Sequence, residues 1–382
     1  MRRIYWRPKK ISRTVLMVLA VLALAGLATV ELVKTQTRQP RYREKMRAAK
    51  TAKTAFDAIK AERLVRGHMM DPTIDTAMTG LVGVAMSDVT SNSGHLGAKR
   101  TSINPNFAAI AVHLLHRAGV EEGDHVAVGL SGSFPALNIC VLAALEAMKV
   151  HPVVISSASA SQWGANVPDL LWLDMERILD EKRILSTRSI AASIGGVEDR
   201  GVGMSKDGKR MLTEAIEERN QIPRIAARNY EDSLEQRMML YNEWVGNESY
   251  AAYINVGGGA TSVGTNVGKK LFRPGLNRNP PKGGPSVDSV MMRFVDRGIP
   301  VLHFIQIAKL AKRYGLPEEP EGIPQVGEST VFVKEEYNRW LAAGILALLL
   351  FLLYAFIRSD VGFRILHRPR REAADERPEQ MV

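Results

Sequence analysis

Two apolar runs at opposite ends of this 382-residue chain restrict its architecture more than any other feature. Residues 14–30 (TVLMVLAVLALAGLATV) carry no charge, and Leu32 and Val33 extend the run past Glu31. Residues 340–357 (WLAAGILALLLFLLYAFI) form an unbroken stretch of 18. At about 1.5 Å per helical residue, each crosses most of a hydrocarbon layer roughly 30 Å thick. Tyr337, Trp340 and Tyr354 flank the second run where an interfacial aromatic belt would lie. Two transmembrane helices are therefore predicted, over 14–33 and 340–357. Arg2, Arg3, Arg7, Lys9, Lys10 and Arg13 precede the first, and Arg358, Arg364, Arg368, Arg370 and Arg371 follow the second. Positive flanks stay on the cytoplasmic side, which puts both termini (1–13 and 358–382) inside and the large domain outside the cell membrane. A cleaved signal peptide is the alternative for the first run, with Ala23, Ala25 and Ala28 as small residues for a peptidase. The central domain is placed the same way in either case.

The formal charge of +11 suggests a nucleic-acid partner only until it is located. Residues 34–66 hold 11 basic and 3 acidic side chains, whereas residues 67–338 hold 27 and 31. The basicity sits in the tails and one segment, and the folded body is slightly acidic, so no nucleic-acid partner is expected. Cys140, the one cysteine, lies in the apolar run NICVLAALEAM and reads as a small core residue. His113 and His116 share a helix face, but no nearby carboxylate completes a metal site, and no metal or other cofactor is expected.

Residues 41–66 contain strong helix formers and no Gly or Pro, and are predicted to be a basic stalk helix within a 34–66 segment. A solvated connector is one reading of it. The other is an electrostatic surface, with Lys45, Arg47, Lys50 and Lys53 meeting an anionic polymer or anionic lipid headgroups. From 67 to 314 apolar runs alternate with helical patterns. Strands are predicted at 81–86, 124–130, 152–157, 189–194, 251–256 and 301–305. Helices are predicted at 106–118, 134–149, 168–182, 209–219, 231–244, 286–297 and 307–314. Continuous apolar strands between helices imply an α/β fold with a doubly wound, mainly parallel sheet covered on both faces. Residues 315–339, rich in Pro, Gly and Glu at their start, read as a linker to the second span.

In open parallel sheets ligands bind beyond the carboxyl ends of the strands. Those ends are rich here in Ser, Gly, Thr and Asn, and supply the candidate ligand residues Ser87, Ser131, Ser133, Ser157, Ser159, Gly257, Gly258, Gly259 and Thr261. Backbone N–H groups and hydroxyls converging from four turns suit a carboxylate or phosphate, although each residue alone also serves as a cap or turn former. GLSGSFP approaches a nucleophile elbow at Ser131, but Ser133 stands where the second glycine belongs. A base would be His95 or His303 and an orienting acid Asp288, and nothing in the spacing brings these together. Neither glycine loop matches a phosphate-binding motif: Gly264, Gly268 and Lys269 have the wrong spacing, and Ser262 ends the G-x-G-x-x-G approximation begun at Gly257.

Long phrases of the chain resemble one family nearly end to end. These are IYWRPKKISRT, AMSDVTSNSGHLGAKRTSINPNFAA, VGLSGSFPALN, ISSASASQWGAN followed by LLWLDMER, YINVGGGATSVG, KKLFRPGLN and EEYNRWLAAG. They resemble the poly-gamma-glutamate system proteins. The resemblance implies association with bacterial poly-gamma-glutamate synthesis and secretion, with a poly-gamma-glutamate ligase and a small membrane subunit as companions. It carries no catalytic residues across. The expected function is an accessory membrane subunit that binds the polymer, its chain end or partner subunits. An exported serine-dependent hydrolase or transferase acting on the γ-amide polymer is the enzymatic alternative, and a structural scaffold is the third.

Overall fold

A computed structural model describes residues 13–265, 268, 271–281 and 287–358. The chain divides into two compact units, Arg38–Val333 and a smaller one in which the two ends of the chain meet.

The larger unit is built on a six-stranded sheet. Its strands are β1 (His125–Ser131), β2 (His151–Ser157), β3 (Ala191–Ser193), β4 (Tyr250–Val256), β5 (Gly275–Asn277) and β6 (Val301–Phe304), in the order β5-β6-β4-β1-β2-β3. All neighbours are parallel except β5, which runs antiparallel along β6 at the edge. Both faces of the central strands are buried, which explains why they read as continuous apolar runs. Val126, Val128 and Leu130 join one hydrophobic core, and Ala127 joins the other. The alternation repeats in β4, where Ile254 and Val256 face the first core and Tyr253 the second. The fold is thus α/β with a mostly parallel sheet.

The chain steps outward from β1 through β2 to β3, then returns to the other side of β1 to lay down β4. That reversal opens a crevice beyond the carboxyl ends of β1 and β4. Register makes the crevice polar, because Ser131 pairs with Ser157 and Ser157 with Ser193, so three serines stand abreast where the sheet ends.

Three expectations are corrected. The 81–86 segment is not a strand of the sheet. Its backbone is satisfied by the Asn166 side chain, which accepts from Val84 N (2.9 Å) and donates to Val84 O (2.8 Å), and by Trp163 N donating to Val84 O. Its hydrogen bonds go to a loop. Second, the basic segment is not a free stalk. Helix Tyr42–Val65 packs against Phe107–Ala118 and Pro135–Met148, burying Lys45, Ala48, Ala49, Ala52, Ala55, Phe56, Ile59 and Arg63 on one stripe. Third, the 315–339 segment is no loose linker as far as Val333. Leu316, Val331 and Phe332 are buried, and Asn106 holds it by donating to Gln325 O (2.8 Å) and accepting from Gly327 N (3.0 Å).

In the smaller unit, helices Arg13–Leu32 and Arg339–Arg358 pack on each other. They touch closely at Gly26, where a Cβ would come within 2.6 Å of Ile345 Cγ2. Among the described residues one helix is long and apolar enough to cross a membrane, Arg339–Phe356 with mean hydropathy 2.0 and none of it buried. The apolar stretch of the amino-terminal helix among the described residues, Leu16–Leu32, falls short of that length. The expected two spans therefore reduce to one helix that meets the length. The basic flanks at 1–12 and 359–382 lie outside the described residues.

Candidate functional site

The crevice is a cavity of about 520 Å³, lined mainly by hydroxyls and glycine backbone. This is an ordinary size for a small-ligand site. Four turns reach it: Ser131 and Ser133 after β1, Ser157 and Ser159 after β2, Gly196 to Asp199 after β3, and Gly258 and Gly259 after β4. Ser91 to Ser93, at the end of the short strand Thr90–Asn92 that pairs with Ala160–Ser161, and Tyr230 from the start of helix Tyr230–Val245 complete the rim.

Close backbone contact holds the turns in place. Gly132 N donates to Ser157 O (3.0 Å), and Gly132 O accepts from Ala165 N (2.8 Å). A Cβ on Gly132 would meet Ser159 O at 2.9 Å. Gly257 turns the chain away from β4 with φ at +89°, a conformation that costs a β-carbon residue about 1 kcal/mol or more. Asn255 fixes that turn by donating to Gly257 O at 2.7 Å.

The cavity floor is a buried ion pair. Arg237 NH2 lies 2.7 Å from Asp199 Oδ2, and its Nε lies 3.0 Å from the same oxygen. Ser193 and Ser233 each donate to Asp199 at 2.6 Å, so both carboxylate oxygens are engaged. Glu198 and Asp199 are consecutive non-glycine residues at positive φ, +54° and +60°. Such backbone costs of order 1 kcal/mol per residue and persists where surrounding contacts impose it. Here those contacts are the guanidinium and two hydroxyls. Burial opposes the charge on Arg237, but Asp199 outweighs it and the guanidinium's pKa is raised.

The wall holds a second buried cation of a different kind. Lys99 is 3% exposed and its Nζ donates to Ser161 Oγ at 2.9 Å and to Ser133 O. The ammonium also sits over the Phe134 ring, 3.8 Å from its centroid. No carboxylate pairs with it among the described residues, and burial alone pushes its pKa down to about 7. Beside it, Ser159 is 2% exposed with a hydroxyl that has no partner among the described residues.

The candidate residues divide accordingly. Ser131, Ser133, Ser157, Ser159, Gly258 and Gly259 converge on the cavity. Gly257 shapes the turn behind it. Thr261 is buried one layer further back, its hydroxyl 3.5 Å from Ser233 Oγ. Ser87 lies elsewhere, donating to Asn166 O at 2.6 Å within the loop that replaced the expected first strand. The residues proposed to activate Ser131 do not line the cavity. His95 is exposed, and His303 is buried in β6 with Nδ1 on the Asn255 amide (3.0 Å) and a pKa lowered to about 4 by burial. Asp288 is exposed and binds Arg293, while its carbonyl accepts from Tyr230 at 2.6 Å. Ser131 Oγ itself accepts from Ser133 N at 3.2 Å, as a turn-former does. Among the described residues no cluster of His, Cys, Asp and Glu could hold a metal ion.

Of the proposed polymer contacts, Lys45 is fully buried, donating to Val331 O at 2.8 Å. Lys53 binds Asp57 at 2.6 Å, and Arg47 and Lys50 stay exposed. Sequence reasoning missed Lys99, Ser161, Asp199 and Arg237. Lys99 lay within a quoted phrase, GHLGAKRTS, and the sign available was a lysine among small residues, with no acid between Glu62's helix and Glu121 except Asp71, Asp75 and Asp88. No protein-family model, curated protein or solved structure matches this chain.

Proposed function

We propose that the chain is a membrane-anchored subunit of poly-gamma-glutamate synthesis or secretion whose α/β domain takes the end of the anionic polymer into the cavity at the edge of the sheet. The observation that carries this reading is the convergence of four serine- and glycine-rich turns on one cavity at the reversal point of strand order, with an unpaired buried hydroxyl, Ser159, in its lining. Hydroxyls and amides suit the carboxylates and amides of a γ-glutamyl unit. Arg47 and Lys50, exposed on helix Tyr42–Val65, would draw a polyanion toward the domain. The exposed apolar faces of the helices Arg13–Leu32 and Arg339–Arg358 support lipid as the surroundings of the smaller unit. In this reading the domain lies outside the membrane and a ligase and a small membrane subunit supply the polymer.

Calorimetric titration of the full chain in detergent with poly-gamma-glutamate oligomers tests the reading. Saturable binding is expected, weakened at least about tenfold by Ser93→Trp, which narrows the mouth from an exposed position. Equal affinity in Ser93→Trp and the unaltered chain would remove the cavity from the account.

A further inference from the structure

Lys99 and Ser161 form a pair that polymer binding does not require. Ser161 is half-buried on the cavity wall, and Lys99 sits behind it with Nζ at 2.9 Å from Oγ. The other contacts of Nζ are a carbonyl, Ser133 O, and the Phe134 ring. An ammonium here has no counter-ion, whereas a neutral amine donates to the carbonyl and keeps a lone pair for the serine proton. This is the arrangement that activates a hydroxyl: nucleophile and base in hydrogen-bond reach, the base oriented by a third group.

We propose that Ser161 is a nucleophile and Lys99 its general base, and that the cavity carries out acyl transfer on an amide. The site is the one proposed above for the polymer end, so the substrate class is an amide with polar, carboxylate-bearing flanks. In the first step Ser161 Oγ bonds to the carbonyl carbon as its proton moves to Lys99 Nζ. The C–N bond then breaks, and the proton on Nζ goes to the departing amine. Water opens the resulting ester in the same way. It gives a proton to Nζ and its oxygen to the carbonyl carbon, the bond to Oγ breaks, and Oγ regains the proton. The Ser159 hydroxyl, free of protein partners among the described residues and in the same lining, is the donor available to the developing oxyanion.

Charged groups on neighbouring elements do not set the state of Lys99. These are His95 and Arg100 on its own helix, Lys309, Lys312 and Arg313 on helix Ile307–Arg313 packed against it, and Glu319. Arg100 is engaged by Glu319 and the Ile74 carbonyl. Burial is the sole cause of the depressed pKa near 7, which leaves a substantial neutral fraction of the amine at physiological pH.

The test is covalent labelling of the full chain in detergent with a fluorophosphonate, located by peptide mass. The expected result is an adduct on Ser161, absent in Ser161→Ala, formed at a rate that rises with pH through about 7 and then levels. Lys99→Met should slow it at pH 8 by about 100-fold or more, with no rescue by Lys99→Arg, while Lys45→Met leaves it unchanged. The pH profile of the unaltered protein decides the matter even if a variant fails to fold. No adduct on Ser161, an adduct that survives Ser161→Ala, or a rate without the inflection overturns the proposal. Labelling without polymer binding would sink the binding reading alone, and binding without labelling would sink this one alone.

Discussion

The floor and the wall of the cavity each bury a cation, and the protein handles the two in opposite ways. Arg237 on the floor has a carboxylate, two bonds to it and flanking serine hydroxyls. Lys99 on the wall has a carbonyl, a hydroxyl and a ring face. A guanidinium cannot shed its proton in a protein, so its burial requires a counter-ion. An ammonium can, so it tolerates burial without one by titrating instead. The floor is therefore scaffold with a fixed charge, and the wall holds the group whose protonation can change.

The comparison is broken most severely at the floor. Asp199→Asn keeps a residue that tolerates positive φ, but it removes the charge and turns one of the two accepting oxygens into a donor. Arg237 would be left buried and uncompensated, at an expected cost of about 3–5 kcal/mol, read as a lowered urea midpoint of the full chain. A loss below about 1 kcal/mol would mean that the serines alone can hold the guanidinium.

At the wall the sign reverses. Lys99 has a folded pKa of about 7 against 10.5 for the free side chain. Below pH 7 both states are protonated and the full penalty of burying the charge applies. As pH rises from about 7 to 10.5 the unfolded chain binds more protons than the folded one, so stability increases. The shift is worth on the order of 5 kcal/mol, and the two lost hydrogen bonds offset about 2 of it. Lys99→Met should thus stabilise the protein by about 3 kcal/mol at pH 6, with the gain crossing zero at about pH 9 and turning into a loss of about 2 kcal/mol where both states are neutral. A variant less stable at pH 6 would show that the amine is held as a structural cation after all.

The same contrast explains what could be read from the sequence. The placement of β1, β2, β4 and β6 was legible because strands buried on both faces read as continuous apolar runs, although 81–86 shows that such a run need not join the sheet. The serine-rich strand ends were legible too, since an open parallel sheet places its site there. The partners of those serines were not. Asp199 reaches Ser193 and Arg237 through a loop of positive-φ residues, and Lys99 reaches Ser161 across 62 positions of sequence. The helix taken for a stalk misled for another reason. Its charge is mostly basic, but Ala48, Ala49, Ala52 and Ala55 repeat at helical spacing and mark a buried stripe of small side chains. Charge count hid a periodicity that was present.

That helix supplies the control for the whole comparison. Lys45 is a third buried cation, outside the cavity, with one carbonyl partner and a pKa lowered to about 8 by burial. Its penalty applies below pH 8 and is relieved between about 8 and 10.5, by the same sign as for Lys99. The shift corresponds to on the order of 3 kcal/mol, of which one lost hydrogen bond offsets about 1. Lys45→Met is therefore expected to raise stability by about 2 kcal/mol at pH 7, with the gain fading one pH unit higher than at Lys99. Urea midpoints of the two variants across pH 6–10 separate the cases. Coincident pH profiles would mean that the two lysines are desolvated alike and that the Lys99 amine is no more readily neutralised than that of Lys45. Offset profiles, with Ser161 labelling lost only in Lys99→Met, would assign proton transfer to the wall of the cavity and leave Lys45 as the fastening of the 331–332 segment.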